Sequence, residues 1–284
     1  MISRLKVLHL FLLPQHLLSS LIYQLTRITW KPIKDLFISS FIRVYNVDMS
    51  LTERADPTQY QHFNEFFTRD LKAGVRPLDP SSNSIVSPVD GAVSQVGRIT
   101  NNQLVQAKGM TYTVENLLGG DRSDADFFKN GSFINLYLSP KDYHRIHMPV
   151  EGTLTKMNYI PGALFSVSPT ATAAIDGLFA RNERVINLFN TPFGHMALIM
   201  VGAIFVGSME TVWAGQITPA KKRLKSVSHF QNKDKPIHLC KGDEMGRFNM
   251  GSTVIILFEN SEVDWLSSLQ PDSSVVLNQM IGKL

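Results

Sequence analysis

Short apolar runs separated by turn residues fill the chain from residue 84 onward, and this pattern restricts the fold more than any other feature. Gly, Pro, Asn and Asp punctuate the runs, which favours strands joined by turns over long helices. The runs include "AVSQVGRI", "SFINLYL", "GTLTKMNYI", "HMALIMVGAIFVGSM" and "STVIILF". A helix is expected near "TVENLLGG", and "DPTQYQHFNEFFTRDLKAGVRPLDP" is interpreted as a short helix that enters an extended, proline-bounded connector. The pattern therefore predicts a mainly β body within an α+β fold.

The first 50 residues have a different pattern, which predicts helices beside a membrane. Positions 7 to 26 contain no charged residue, and these 20 positions could just cross a bilayer. Pro14 and several His, Gln and Ser residues in the stretch make spanning less favourable. A second helical pattern runs from Ile33 to Val44. Apolar helices with a basic flank bearing Trp30 are typical of segments lying in a membrane interface. The alternative is a helical pair packed on the chain's own core.

The net charge of +4 lies entirely in this N-terminal segment. Residues 1–50 contain six basic and two acidic side chains, whereas the rest of the chain is balanced. A basic apolar segment favours docking on anionic lipid. The basic stretch 219–236 is interpreted as a solvated loop or hairpin, and no nucleic-acid partner is expected. The single cysteine, Cys240, cannot form an intrachain disulfide, which permits a reducing compartment.

Reactive side chains occur in turn-like surroundings at three places. Asp90 lies in "SPVDGAV", His144 and His147 lie in "SPKDYHRIHMPVEG", and Gly251-Ser252 directly precedes a β-branched apolar run. An acid, a histidine and a hydroxyl are the parts of a relay that activates a nucleophile. From spacing alone, Asp90 could equally be a turn residue, and each histidine an ordinary hydrogen-bonded side chain.

The two histidines also allow a zinc site, as in a zinc peptidase. The usual spacing His-Glu-x-x-His is absent, however, and no third ligand stands close by in the sequence. If the segment is a turn, His144 and His147 could point toward one site, whereas an extended segment would place them on opposite faces. A third alternative is a non-enzymatic or phosphocarrier domain, which could share "PVDGAV" and a histidine but would not need Gly251-Ser252.

Several separate motifs together resemble the bacterial type of the phosphatidylserine decarboxylase family. They are "FNEFFTRDLKAGVRPLD", "SPVDGAV", "YHRIHMP", "PGALFSVSPT", "VGAIFVGSMETVWAGQITP" and "GRFNMGSTVIILFE", and they occur in the family's order from about residue 50 to about residue 260. Two positions depart from the family pattern. Met250 replaces the usual leucine of Leu-Gly-Ser-Thr, a change of similar volume, and Ser168 stands where the family often has asparagine.

The resemblance implies that the chain cuts itself between Gly251 and Ser252. The Ser252 hydroxyl would attack the Gly251 carbonyl, and Ser252 would end as a covalent pyruvoyl cofactor at the start of a short chain, 252–284, held by a long chain, 1–251. Asp90 and His147 would activate Ser252, while His144 would act in decarboxylation. Glycine before the serine has no Cβ, which allows the hydroxyl to approach the carbonyl. No metal is expected.

The reaction implied by the resemblance is the conversion of phosphatidylserine to phosphatidylethanolamine and carbon dioxide. The pyruvoyl carbonyl would form a Schiff base with the amine of the serine headgroup. The resemblance also implies a catalytic domain, residues 51–284, with sheets like the hybrid barrel of lipoyl-type and sugar-phosphotransfer carrier domains. Residues 1–50 would form a membrane-associating module of a peripheral protein on the cytoplasmic side of the cell membrane. Assembly into homo-oligomers stays open.

Overall fold

A computed structural model of the chain describes residues 13–107, 109–205, 208–220, 223–230, 235–251 and 253–284. Two helices come first, α1 (Gln15–Leu25) and α2 (Lys31–Tyr45). Pro32 in the first turn of α2 and left-handed Asn46 after its last turn explain its bounds. These helices confirm the helical reading of the N-terminal segment, although residues 1–12 of the predicted module lie outside the described residues.

The remaining helical elements are short. They are the 3-10 turns Met49–Leu51 and Pro57–Gln59 and the helices α3 (Phe63–Phe67), α4 (Val114–Leu117), α5 (Arg122–Phe128), α6 (Pro169–Thr172) and α7 (Leu178–Arg181). The helix predicted near "TVENLLGG" is confirmed as α4, and the short helix predicted in "DPTQYQHFNEFFTRDLKAGVRPLDP" is confirmed as α3. The α4 helix begins where the Thr113 hydroxyl accepts a hydrogen bond from the Asn116 backbone N–H. Helices α5 to α7 were not predicted, because they are too short to establish a helical period.

Most of the body is strand, as predicted. The strands are β1 (Ser84–Val86), β2 (Gly91–Arg98), β3 (Gln103–Ala107), β4 (Met110–Thr113), β5 (Ser132–Tyr137), β6 (Arg145–His147), β7 (Gly152–Ile160), β8 (Arg184–Thr191), β9 (Gly194–Val201), β10 (Met209–Thr211), β11 (Gly215–Gln216), β12 (Ser226–His229), β13 (His238–Leu239), β14 (Glu244–Phe248), β15 (Thr253–Phe258), β16 (Asp264–Trp265), β17 (Ser274–Val275) and β18 (Met280–Lys283). The α+β, mainly β fold class is thereby confirmed.

The main sheet is antiparallel and open. Its order is β12-β7-β8-β9-β15-β5-β2-β17, with β13 also paired to β7. Within the described residues β12 and β17 are its two ends, so the sheet is not the closed barrel that the family resemblance led us to expect. At these ends, β12 is exposed along its whole length, and β17 has only two residues.

Strand β15 lies in the middle of this sheet. All six of its residues are buried, and they pair with β5 on one side and β9 on the other. Thr253, its first residue, is opposite both Tyr137 and Val201. A β-branched run suits a strand covered on both faces. The buried strand predicted directly after Gly251-Ser252 is therefore confirmed.

A smaller sheet leads the chain into this position. Its order is β11-β10-β14-β6, so that β14, which ends at Phe248, pairs with β6. After residues 249–251 the chain enters the centre of the main sheet at Thr253. The β6 strand includes His147 and follows His144 directly, so the strand pairing brings the histidine segment beside the junction.

Two hydrophobic clusters meet at this entry to the main sheet. The large one fills the β body, and the small one joins the N-terminal helices to α3. The small cluster contains Ile38, Val47, Tyr60, Phe63, Phe66 and Phe67. Met250 packs against both clusters. Over the described ranges, no helix has the length and apolar character needed to cross a bilayer.

Candidate active site

Hydrogen bonds from three directions hold the segment before Gly251. The Phe248 N–H donates to the His144 carbonyl over 3.0 Å, and the Asn249 N–H donates to the Ser208 carbonyl over 2.9 Å. From α3, the Asn64 side-chain amide donates to the Asn249 carbonyl over 2.8 Å. Ser252 itself lies outside the described residues. Hydrogen bonds hold the segment before it, and strand pairing on both edges holds Thr253 after it.

The imidazole of His144 lies against this junction. The side chain is fully buried, and its ring stacks on Phe67 with centroids 4.1 Å apart and planes inclined by 18°. A Cβ added to Gly251 would lie 3.6 Å from the His144 Cε1 atom. The ring therefore lies close to the side of Gly251 on which a side chain would stand.

Burial keeps the His144 ring neutral. Loss of hydration, and then the nearby Arg69 guanidinium, lower the pKa of His144 to about 3. The carbonyls of Ser139 and Pro140 favour the protonated ring, but more weakly. Neither ring nitrogen makes a hydrogen bond of normal geometry to a described residue. A neutral imidazole can accept a proton, although a pKa this low makes His144 a weak base that gives the proton up readily.

The ring of His147 is held by its own hydrogen bonds. Its Nδ1 lies 2.8 Å from the Gly242 carbonyl, which can only accept, so Nδ1 carries the proton. Its Nε2 then accepts from the Tyr143 hydroxyl over 3.1 Å. Burial lowers the pKa of His147 as well. Arg145–His147 is a strand that begins directly after His144, and the two histidine rings have different partners.

Asp90 is paired with an arginine. Its carboxylate accepts from the Arg76 Nε over 2.9 Å and from the Arg76 Nη2 over 2.8 Å. Its Oδ1 also accepts from the Leu277 N–H over 2.8 Å. Asp90 and Tyr143 line the same cavity of about 210 Å³. Tyr143 therefore connects this cavity to His147.

The structure thus brings some of the predicted site residues together and keeps others apart. His144 lies beside Gly251, whereas no hydrogen bond between described residues joins Asp90 to His147. The assignment of Asp90 and His147 to a relay acting on Ser252 stays a prediction. For the zinc alternative, the described residues contain no group of three or more His, Cys, Asp or Glu placed to hold a metal.

A pocket of about 270 Å³ opens beside the junction. Its walls come from α2, from the segment after β5, and from the segments after β7 and β9. The lining residues are Phe41, Tyr45, Phe67, Tyr137, Leu138, Pro140, Ser166, Val167, Ser168, Ala203, Ile204, Phe205, Met250 and Gly251. Most of this surface is apolar, and hydroxyl groups supply the polar positions. Ser168, where the family often has asparagine, is one of them.

Sequence reasoning missed three contributors to the site. Phe67 supports His144, Tyr143 binds His147, and the Asn249 amide donates to Glu210 over 2.8 Å and to the Ser208 hydroxyl. Tyr143 and Asn249 each lie within four residues of a predicted site residue, so their proximity in sequence could have identified them as candidate site residues. Phe67 lies 77 positions before His144, and only the fold shows their contact.

Comparisons with known proteins agree with this site. A family model described as phosphatidylserine decarboxylase matches residues 63–283, and a second, described as PSD, matches residues 5–46. A phosphatidylserine decarboxylase proenzyme of Nitrosococcus oceani is 51% identical over 98% of this chain and 90% of the relative. Proteins of the same name from Pseudomonas fluorescens and Stutzerimonas stutzeri are 50% and 48% identical, each over 99% of this chain and over 97% and 95% of their own lengths. The chain belongs to the phosphatidylserine decarboxylase family.

Proposed function

We propose that the chain is a proenzyme that matures to convert phosphatidylserine to phosphatidylethanolamine and carbon dioxide. The observation that carries the proposal is the position of Gly251. It lies at the entry to the central strand, close to a buried neutral histidine, and it lines a pocket. The names of the relatives, which cover nearly their whole lengths, support the substrate and the proenzyme state.

Maturation would cut the chain between Gly251 and Ser252. The Ser252 hydroxyl attacks the Gly251 carbonyl, and the peptide bond becomes an ester. Elimination breaks the ester, leaving a carboxylate on Gly251 and a dehydroalanine at 252, which water converts to pyruvoyl with loss of ammonia. The products are the long chain 1–251 and the short chain 252–284. Asp90 and His147 are proposed as the relay for this step. Since they make no direct hydrogen bond here, Tyr143 is the group that connects His147 to the cavity of Asp90.

The surroundings of Gly251 suit a pyruvoyl group at the next position. The pocket is largely apolar, and His144 is buried with both ring nitrogens unused by described residues. Such a group supplies a carbonyl that joins the substrate amine and draws off the electron pair released with carbon dioxide. The short chain would keep it at the entry to β15, where strands on both sides hold the backbone.

His144 would move the protons of the reaction. The substrate amine arrives as an ammonium ion and must lose a proton before it can bond to a carbonyl. A neutral imidazole in the pocket can take that proton. After carbon dioxide leaves, the same ring can return a proton to the carbon that bore the carboxylate. The low pKa of His144 favours giving the proton back.

The membrane is the proposed source of substrate. Leu17, Leu21 and Leu25 are spaced four residues apart on α1 and are 59%, 52% and 42% exposed. The only buried residue of α1 is Ser19, so this helix turns much of its apolar surface outward. On α2, Tyr45 is 42% exposed and also lines the pocket, which joins the apolar surface to the site. We propose docking on anionic lipid at the cytoplasmic face of the cell membrane, helped by basic residues such as Lys31 and Arg43.

One experiment tests the proposal. Purified protein is analysed by intact mass and then assayed for carbon dioxide release from phosphatidylserine in vesicles. We expect two chains, the short one beginning at 252 and lacking a free amine, together with decarboxylation. A single full-length chain without activity would favour a carrier domain. Bound zinc with peptidase activity would favour the metal alternative.

A further inference from the structure

Helix α1 contacts the catalytic body through polar side chains. The Gln15 Oε1 atom accepts from the Leu164 N–H over 2.7 Å, and the Ser19 hydroxyl accepts from the Phe205 N–H over 3.2 Å. The His16 ring makes a third contact, 3.0 Å from the Gly162 carbonyl. A surface helix normally faces a protein body with apolar side chains. Here, buried or half-buried polar groups of α1 bind backbone groups of the body instead.

The two backbone amides bound by Gln15 and Ser19 lie in or next to the walls of the pocket. Leu164 lies two residues before the segment 166–168, each residue of which lines the pocket. Phe205 lines the pocket itself, with Ala203 and Ile204 before it. One helix therefore holds two pocket walls that lie about 40 positions apart in the sequence.

Phe205 has a backbone conformation that needs support. Its φ is 68°, in the left-handed region that bulky residues seldom adopt. Its side chain is 42% exposed at the pocket, so packing on that side chain is incomplete. A conformation of this kind persists only where neighbouring groups determine it. The hydrogen bond from the Phe205 N–H to Ser19 is one such constraint.

We infer that Gln15 and Ser19 are positioning residues of the active site, which set the distance between the two pocket walls for the serine headgroup of the lipid. This inference rests on the proposed decarboxylase function. It gives α1 a role in substrate binding that is separate from its contact with lipid, because the polar contacts and the exposed leucines are different side chains of one helix.

The test uses the full-length chain with Ser19→Ala and Gln15→Ala. Both changes favour the helix by intrinsic propensity, so helix loss would not explain an effect. The substrate is a short-chain phosphatidylserine dispersed as monomers, which removes any need for membrane docking. Loss of one such hydrogen bond should raise KM by about 3- to 10-fold. The cleaved fraction, measured by intact mass, and binding to vesicles should stay at wild-type levels.

Tyr23→Phe is the matched control. The Tyr23 hydroxyl donates to the Gln216 side chain over 3.0 Å, and it too joins α1 to the body. Gln216 does not line the pocket. Tyr23→Phe should therefore retain the wild-type KM.

The outcomes separate the two proposals. Wild-type KM values in both alanine variants would overturn the positioning role. If the alanine variants do not cleave, Gln15→Glu and Ser19→Thr decide, because each keeps an acceptor oxygen. They should restore cleavage and a KM near that of the wild type, and failure to do so also overturns the role. A wild-type chain that does not decarboxylate phosphatidylserine at all would overturn the proposed function instead.

Discussion

The ring of His144 stacks on the ring of Phe67, with 4.1 Å between centroids, on the side of the site formed by the N-terminal helices. Phe67 belongs to the small hydrophobic cluster, and the ring of Phe41 in α2 packs edge-on against the Phe67 ring, with centroids 5.8 Å apart. Phe67 of α3 therefore links the orientation of the His144 ring in the β body to α2. The predictions below separate these contributions.

Phe67→Leu should slow decarboxylation by about 3- to 10-fold per cleaved chain, because stacking contributes beyond simple burial of apolar area. Leucine keeps most of the apolar volume but does not stack on His144. The rate is measured as carbon dioxide released, divided by the cleaved fraction from intact mass. Phe63→Leu is the control, since Phe63 stacks on Phe67 within the same cluster and has no ring contact with His144. Equal rates in the two variants would argue against the role of the stack.

The two histidines should separate in function. We expect His147→Ala to remain uncut, since its ring is assigned to the relay, and His144→Ala to be cut appreciably but to decarboxylate poorly, since it lacks the proton carrier. Cleaved fraction and rate per cleaved chain measure the two effects. The closeness of His144 to Gly251 makes a different result informative. An uncut His144→Ala chain would assign His144 to maturation, and the division of roles would fail.

Acid should destabilise the fold through His144. Its pKa is about 3 in the folded chain and near 6.5 when exposed, so the unfolded chain binds the proton more readily as the pH falls. The contribution of this group to stability is complete above about pH 6.5. Between there and about pH 3 it is lost at about 1.4 kcal/mol per pH unit. Denaturant unfolding of Ser252→Ala, as one uncut chain, should show a steeper decline with acid than Ser252→Ala/His144→Asn. Parallel declines would contradict the prediction.

Binding to vesicles should depend on the outward leucines of α1. Leu17→Gln/Leu21→Gln should weaken partitioning onto anionic vesicles at least 10-fold, because each leucine loses about 1.5–3 kcal/mol of apolar transfer free energy. Binding should also fall with added salt. Val105→Gln, on the β3-β4 hairpin and 42% exposed, is the control and should bind like the wild type. Deletion of residues 1–47 is a poorer test, because it removes Ile38 and Val47 from the small hydrophobic cluster. Unchanged binding by the double variant would exclude this docking surface.

Gly251→Ala should separate folding from cleavage. An added Cβ would lie 3.5 Å from the Leu138 carbonyl and 3.6 Å from His144 Cε1, which are ordinary contacts. We therefore expect Gly251→Ala, measured in the uncut Ser252→Ala background, to have a melting temperature within a few degrees of that of Ser252→Ala alone. Cleavage should be slower, because the methyl group crowds the carbonyl that the Ser252 hydroxyl must reach. Cleavage at the wild-type rate would show that glycine is not needed for the reaction.

The strands could be predicted because their apolar runs are local features. The run at Thr253–Phe258 indicates a buried strand whatever its partners, and the structure places it in the sheet centre. The closed barrel came from resemblance rather than from a pattern, and the sheet is open at β12 and β17. Helix α5 was missed because seven residues give fewer than two full periods of the helical pattern.

The site was only partly predictable for a similar reason. The residues near the cut were recognisable as short motifs, but the side chains that orient them come from distant positions, such as Phe67 for His144 and Arg76 for Asp90. The leucines of α1 predict an amphipathic helix, yet periodicity cannot say which face turns inward. The contacts of Gln15 and Ser19 answer that question.

The central position of β15 affects how the protein can fold before and after cleavage. After a break following Gly251, only non-covalent interactions would hold the new fragment in the sheet: the backbone hydrogen bonds on both edges of β15 and the burial of its side chains. Met250, next to the new end of the long chain at Gly251, would stay packed against both clusters. Assembly of the sheet would then belong to the precursor, whose continuous backbone delivers the central strand. The matured enzyme would be a one-way product: once denatured, its two pieces would have to find each other in solution, whereas an uncut chain could renature by itself.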